Sequence, residues 1–541
     1  KCPHFERCFV FQARRRAAEA DVVVVNHHLL TSDLAVRLAA DNWLEAAVLP
    51  PYRRLILDEA HHLEDVAATH LGAQVSQLGV QRLLGRLERG GRGLLPALHA
   101  ELTARQDLLS AASRDLLEQR LLDALRAARR AADDVFGRLA GRLDREAGGG
   151  PMPVLRLTEA FADDPVWSEG LEVALDNILV AFGSLRDGVE TIADRLSLQD
   201  AADRPAALIG EMRGVVRRLD LAAKGLTAAL RPARDAAAGT SVRWMERRGK
   251  RVANLALAAV PLDLAGVLKE ALFDRVETAV LTSATLATGG DFAFLEERLG
   301  LGLPPGRVAV REILPSPFDF ARQCLFGIPT DLPEPRDDAD GHHAAVTRVL
   351  LDLARASDGG VFCLFTSHRA LRLTAESLRA GTAGRWPLLV QGEDQRDRLL
   401  RRFRESGSAI LLGTDSFWEG VDVPGRALRA LILAKLPFKV PSEPLTAARV
   451  ERLEQQGLDG FTHYLVPHAA LKLKQGFGRL IRSRTDVGAV VLLDRRVVTK
   501  RYGARVLEGL PPADRLVGHW EDIREACEEF FARHDLGARV S

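Results

Sequence analysis

At 541 residues the chain exceeds what one hydrophobic core organises, which implies at least two core domains and an insertion. Hydrophobic residues make up 47% and charged residues 27%, the balance of a soluble globular protein, and no run of 18 apolar residues is present to cross a membrane. Lys and Arg number 74 against 73 Asp and Glu, a formal net charge of +1, so bulk charge singles out no polyanionic partner and any nucleic-acid reading rests on motifs.

Five cysteines are too few for a disulfide framework in so long a chain and point to a reducing, cytoplasmic setting. The sequence opens on Lys1-Cys2-Pro3 with neither an initiating methionine nor a secretory signal, the start expected of a cut or incomplete product. Residues 11–20 predict a helix that leads into a strand, Asp21-Val22-Val23-Val24-Val25, and a second apolar strand follows at 55–57. Short apolar runs alternating with helices predict a buried parallel sheet. From about residue 71 the texture turns to Ala, Leu, Arg, Asp and Glu. Apolar positions there fall at helical spacing: Leu109, Ala112, Leu116, Leu117, Leu121, Leu125, Ala128, Ala132, Val135 and Leu139. Gly148-Gly149-Gly150-Pro151 interrupts this block before a second helical series at about 171–230, and its many arginines read as a solvated helix face. From about 255 the α/β texture returns and closes on a strand at 278–281. A second α/β unit begins near 292, with strands predicted at 361–365, 409–412, 430–433 and 489–493. The expected architecture is α/β: two parallel-sheet domains, with a helical block inserted into the first.

The strand at 55–57 ends in Asp58-Glu59-Ala60-His61. Adjacent carboxylates at the carboxyl edge of a parallel sheet stand where such folds bind ligands. Nucleotide hydrolysis needs one carboxylate on Mg²⁺ and another group to orient the attacking water, which suits Asp58 and Glu59 in turn. The bland alternative is a strand leaving the core through Asp-Glu. His62, Glu64 and Asp65 extend the cluster, but their spacing matches no His-x-x-x-His metal pattern. In the second unit, Gln475-Gly476-Phe477-Gly478-Arg479-Leu480-Ile481-Arg482 spaces two arginines three apart, on one face if the segment is helical, where they can clamp a triphosphate. Gln475 sits one turn before Arg479, and the two glycines, costly in an ordinary helix, suggest a close approach. Thr282-Ser283-Ala284-Thr285 ends a strand in small hydroxyl residues, which either couple the carboxylates to a bound strand or simply cap the next helix. The loop after 412, from Gly413-Thr414 through Trp418-Glu419-Gly420-Val421-Asp422, combines backbone donors, carboxylates and aromatics. Trp418 there is either a platform for a base or, as is commoner beside a phenylalanine, part of the core.

These motifs in this order, with Thr366-Ser367-His368 between them, resemble the DinG/XPD branch of superfamily-two helicases, and the bacterial DinG-like members most of all. The stretches Ser316-Pro317-Phe318 and Lys435-Leu436-Pro437-Phe438 add to the likeness, which covers nearly the whole chain. The resemblance implies two RecA-like motor domains with ATP and Mg²⁺ between them, the metal on Asp58, and Asp58 and Glu59 facing Arg479 and Arg482. It places Gln475, Gly478, Glu419 and Asp422 near the nucleotide. His61, Thr282, Ser283 and Thr285 couple hydrolysis to movement, and Ser367, Thr414 and Trp418 lie near nucleic acid. It divides the chain into 1–70 (the end of an iron–sulfur region and part of the first motor domain), 71–254 (an arch-like helical insertion), 255–290 (the rest of the first domain) and 291–541 (the second). Travel is expected to be 5′ to 3′ on single-stranded DNA, with forks or R-loops as substrates and no membrane partner. Cys2 and Cys8, weak metal evidence by themselves, then look like two of the four thiolates of a 4Fe–4S cluster.

One family element is missing. The phosphate loop Gly-x-x-x-x-Gly-Lys-[Ser/Thr] occurs nowhere, and the one Gly-Lys pair, Gly249-Lys250, runs into Arg251. This polypeptide is therefore expected to bind and hydrolyse ATP poorly by itself. A non-hydrolytic nucleic-acid clamp and a translocase that does not unwind remain as rival readings.

Overall fold

The computed structural model describes residues 7–146, 153–198, 205–232, 240–249, 254–287, 290–381, 384–418, 423 and 425–538. Cys2, Glu419 and Asp422 lie outside the described residues, as does Gly148-Gly149-Gly150-Pro151. The chain opens with α1 (Phe9–Glu19) and α2 (His27–Ala40), the latter capped by Asn26, whose side chain accepts from the Leu29 amide at 2.8 Å. Buried Asp33 and Arg37 then pin the following loop. Asp33 accepts from the Val48 and Leu49 amides, and Arg37 donates to the carbonyls of Trp43, Glu45 and Leu49. This clamp delivers the chain to β1 (Arg54–Asp58), followed by α3 (Leu63–Leu71).

The predicted strand at 21–25 is extended but is not a strand, with Val22 and Val24 79% and 93% exposed. A β-strand is defined by its ladder, and among the described residues no neighbour pairs with this segment.

The block expected as the insertion, 71–254, holds β2 (Ala73–Ser76), α4 (Gln77–Leu87), α5 (Leu94–Thr103), α6 (Leu108–Leu116), α7 (Leu122–Glu146), β3 (Val154–Arg156), α8 (Glu172–Ser197), α9 (Ala206–Leu230) and β4 (Ser241–Arg248); β5 (Asn254–Pro261), expected with the rest of the first domain, pairs with β2 and β4 and so completes the same sheet. The helices of this block share one apolar core containing Leu98, Leu121, Leu139, Leu185 and Met212. It is not purely helical: the four strands form an antiparallel sheet in the order β2-β5-β4-β3. Leu109 is 46% exposed and Ala112 is also outward, while Ser110 and Ser113 face in. The cause is a π-type turn at Leu117–Leu121, which shifts the helical phase between α6 and α7. Many of its arginines are ion-paired, as in Arg142 with Asp164 and Arg129 with Glu88.

The first domain resumes with α10 (Ala265–Leu268), β6 (Thr278–Thr282) and α11 (Ala293–Leu299). Among the described residues its parallel sheet is the pair β1–β6, in register from Arg54↔Thr278 to Asp58↔Thr282.

The second domain runs α12 (Phe320–Gln323), β7 (Cys324–Pro329), α13 (Ala339–Ala356), β8 (Val361–Leu364), α14 (His368–Gly381), β9 (Leu388–Val390), α15 (Arg396–Ser406), β10 (Ile410–Gly413), α16 (Asp415–Trp418), β11 (Ala430–Leu433), α17 (Pro444–Gln455), α18 (Val466–Phe477), β12 (Gly488–Leu492), α19 (Arg496–Thr499), α20 (Gly503–Glu508), β13 (Asp514–Gly518) and α21 (Trp520–Ala538). Its seven strands are all parallel, in the order β13-β7-β12-β11-β8-β10-β9. Successive side chains alternate between two cores. Leu411, Leu431 and Val490 fill one face, and Ile410, Ile432 and Val491 the other. The fold class is α/β, two parallel-sheet domains with an insertion in the first.

Between α13 and β8 the chain reverses through Asp358, Gly359 and Gly360, all at positive φ. A Cβ on Gly359 would stand 2.0 Å from the Ser408 carbonyl oxygen. Gly359→Ala therefore adds a clash to left-handed strain and is expected to destabilise the second domain by at least about 2 kcal/mol. Urea unfolding followed by tryptophan fluorescence checks this, and an unchanged midpoint contradicts it.

Candidate functional site

The register of β1 against β6 brings the first motif to the third. Asp58 lies beside Thr282, whose hydroxyl donates to its Oδ1 at 3.1 Å. Glu59 adopts the left-handed conformation (φ 50°, ψ 47°), and its amide donates to the same Asp58 oxygen at 3.0 Å. This reversal leaves both carboxylates solvent-exposed at the strand end and turns His61 inward. Ser283 Oγ donates to Glu59 Oε2 at 2.6 Å and lies 2.9 Å from His61 Nδ1, with Thr285 Oγ1 at 3.1 Å from the same nitrogen.

The second domain reaches this cluster through Gln475, on the last turn of α18. Its Nε2 lies 2.6 Å from His61 Nε2 and donates to Thr285 Oγ1 at 3.3 Å. With that amide donating to Nε2, the imidazole carries its proton on Nδ1 and donates to Ser283, which donates in turn to Glu59. Four side chains from two domains thus form one directed path. Burial, then the neighbouring His62 and His27, push the His61 imidazole down to about 3; Asp65 opposes this and Arg479 adds to it. The bridging ring is neutral at any physiological pH.

Helix α18 ends at Phe477, and Gly478 caps it. Arg479 and Arg482 therefore do not share a helix face as their spacing suggests; they lie in the turn beyond. Arg479 Nε donates to the Trp418 carbonyl at 3.0 Å, and its charge is felt at His61 across the cleft. Arg482 is exposed, and its amide and that of Ser483 both donate to Asp486 Oδ2 at 2.8 Å. Asp486, which sequence reasoning missed, also accepts from the Gly425 amide at 3.0 Å and so ties the two motif loops of this domain together. The glycine at 476 does mark a close approach: a Cβ there would stand 2.7 Å from the Trp418 ring.

That contact removes Trp418 as a base platform. It is fully buried, and its Nε1 donates to the Phe365 carbonyl at 3.2 Å. Thr414, 3% exposed, spends its amide and hydroxyl on Gln391 Oε1, so it is not placed to grip nucleic acid either. Ser367 is exposed and caps α14 by accepting from the Ala370 amide at 3.2 Å. Neither Glu64 nor Asp65 is set up for a metal. Glu64 pairs with Arg298 and Arg449, and Asp65 with Lys439. No sequence pattern announced these pairs, because their partners lie more than 200 residues away.

Of the cysteines, Cys8 is half-buried near the start of α1, and Cys324, Cys363 and Cys527 are buried in the second domain. Burial raises all three of these thiols, Cys527 to about 12, which leaves them protonated. No group of three or more His, Cys, Asp or Glu among the described residues is arranged to hold a metal ion. The buried Cys324, Cys363 and Cys527 are not placed to join Cys8 in a four-thiolate cluster, whereas the exposed Asp58 carboxylate fits a single contact to a nucleotide-bound Mg²⁺.

A parallel-sheet pair of domains meeting at such a path is the class of an ATP-driven helicase motor, and residues 350–513 match the family described as Helicase C-terminal domain. The chain is 34% identical over 516 residues to the ATP-dependent DNA helicase YoaA of Escherichia coli, covering 95% of this chain and 70% of that one. It is 30% identical over 528 residues to the ATP-dependent DNA helicase DinG of Photobacterium profundum, covering 95% of this chain and 71% of that one. Among solved structures it is similar to Xpd4 of S. tokodaii, with 16% identity and a TM-score of 0.48 over 89% of this chain and 80% of that one. The chain belongs to the DinG/YoaA family of ATP-dependent DNA helicases.

The neutral His61 makes a pH prediction. Its folded value is depressed below the ordinary 6.5, so it contributes no pH dependence above that point. Below it the unfolded chain takes up a proton that the folded chain refuses, and stability falls, by up to about 2 kcal/mol at pH 5 from this group. Urea unfolding at pH 7.5 and pH 5 should show a smaller loss in His61→Gln than in the parent; equal losses would exclude His61 as the source.

Proposed function

We propose that this site hydrolyses ATP and couples each turnover to 5′ to 3′ movement on single-stranded DNA and to unwinding of forked or R-loop substrates in repair or replication. The observation that carries the reading is the path Gln475–His61–Ser283–Glu59, which joins the second domain to the carboxylate suited to orient water. The related YoaA and DinG proteins bear the name ATP-dependent DNA helicase, in keeping with it.

In this reading Asp58 would hold Mg²⁺, which would supply charge neutralisation on the phosphates, and Glu59 orients the attacking water. Arg479 and Arg482 meet charge that develops on the departing phosphoryl group, with Gly478, Glu419 and Asp422 around the nucleotide. His61, Thr282, Ser283 and Thr285 transmit the position of Gln475 to the two carboxylates, and Ser367 faces the DNA. The reading places the protein in the cytoplasm. An iron–sulfur cluster needs about four thiolates, of which Cys2 and Cys8 supply two, and no step of this reading passes through it.

A second reading applies to the 541-residue polypeptide itself. The sequence contains no phosphate loop, so its own ATP turnover should sit near background, and it would act as a nucleic-acid clamp. Steady turnover by this chain at the roughly 10 s⁻¹ typical of enzymes would refute the clamp. The motor reading is tested in a polypeptide that carries a phosphate loop ahead of this sequence. There Glu59→Gln should lower DNA-stimulated ATPase by roughly 10²–10⁴-fold with DNA affinity unchanged. Retained turnover removes Glu59 from its role.

A further inference from the structure

The two domains also meet away from the path through His61. Helix α17 belongs by sequence to the second domain, yet its Leu445 and Ala448 are buried in the first domain's core with Leu63, Ala67, Leu264 and Leu299. Arg449, on the same helix and 5% exposed, pairs with Glu64, which is 7% exposed and also takes Arg298 from α11. Arg449 Nη1 donates to the Tyr464 hydroxyl at 2.9 Å, and the Arg298 guanidinium lies over the Tyr464 ring at 4.7 Å. Lys439 donates to both oxygens of Asp65 at 3.1 and 3.2 Å. Further along α17, Glu451 accepts both Nη groups of Arg156, on β3 of the insertion, at 2.6 and 2.7 Å. A single helix therefore touches all three parts of the molecule. Around this clasp the interface is hollow: cavities of about 800 and about 590 Å³ are both bounded by Glu64 and Arg298.

We propose that α17, with the clasp of Glu64, Asp65, Lys439 and Arg449, is the pivot of the motor: the domains stay joined there while the cleft opens and closes at Gln475. Parting the domains at α17 would uncover apolar side chains and strand buried charges. Parting them at Gln475 breaks neutral hydrogen bonds, a far smaller loss. Glu64 and Asp65 stand in the first turn of α3, a few residues past Glu59, so the clasp ties the segment bearing the carboxylates to the second domain at one end. Rotation about that tie converts domain movement into displacement of Gln475 and Arg479 relative to Glu59. Arg449 and Lys439 are positioning residues, acting through Glu64 and Asp65. The insertion, latched to α17 by Arg156, follows the pivot.

The proposal rests on the motor reading for its purpose but not for its test, which uses neither nucleotide nor DNA. Solution X-ray scattering of the 541-residue chain gives the radius of gyration, roughly 24 Å for a compact chain of this length. Lys439→Asp sets two carboxylates face to face and should raise it, and the exchange Asp65→Lys with Lys439→Asp should restore it; no rise in Lys439→Asp overturns the pivot. Gln475→Ala should leave it unchanged. Expansion by Gln475→Ala equal to that by Lys439→Asp, or no recovery in the exchanged pair, overturns the pivot. Should Lys439→Asp fail to fold, the milder Lys439→Ala serves in hydrogen exchange. Amides of 444–455 should then exchange faster while those of 466–477 do not, and the opposite pattern refutes the assignment. Retained ATPase activity in the Glu59 experiment alongside these results would leave the pivot standing while the motor reading falls, so the two readings fail separately.

Discussion

The hydrogen bond between Gln475 and His61 closes a path from the second domain to Glu59, and it requires an imidazole that accepts at Nε2 while donating at Nδ1. A protonated ring would present two donors, set a positive charge beside Arg479 and lose the acceptor that Gln475 uses. Burial keeps the ring uncharged and thereby fixes the direction of every bond in the path. The depressed titration of His61 is thus a condition for the connection between the domains.

Backbone geometry sets the stage for that ring. The parallel register of β1 with β6 leaves Thr282 to anchor Asp58, and Ser283 and Thr285 to face His61, two hydroxyls past the end of one strand meeting a single nitrogen past the end of the other. Glu59 in the left-handed region costs of order 1 kcal/mol or more, and the bond from its amide to Asp58 offsets part of that. The strain turns the chain sharply enough for two adjacent carboxylates to stay in solvent while the histidine two positions on turns inward. A regular strand continuing through Asp58-Glu59-Ala60-His61 would put Glu59 and His61 on the same face.

Much of this was legible because local chemistry wrote it. Strands β1, β6, β8, β10, β11 and β12 follow from short apolar runs, and the Asp58-Glu59, Thr282 to Thr285 and Gln475 segments carry residue types whose roles are nearly independent of context. Other features depended on partners distant in sequence. Residues 21–25 have the composition of a strand but no ladder among the described residues. β4 was hidden at the end of a block that reads as helical, and the pairing of β5 with β2 joins segments far apart in the chain. Spacing alone put Arg479 and Arg482 on one helix face, and the cap at Gly478 ends the helix before either. Trp418 shows the same limit: its neighbours Phe417 and Gly476 decide that it packs inward, and only the second of them, distant in the chain, explains why there is room.

The antiparallel pairing of β2 with β5 sets Ser76 directly across from Ala256. Cross-strand partners of this kind are about 5 Å apart, so the chain leaves the first domain and re-enters it through what is nearly a single doorway. Everything between those two residues joins the first domain through that pair of strands and through β4, whose Val242 is buried in the first domain's core. A short turn could in principle close that pair and leave β1 and β6 paired. The insertion is in that sense a graftable module, held to the machine beyond those strands by side-chain contacts, the latch between Arg156 and Glu451 among them.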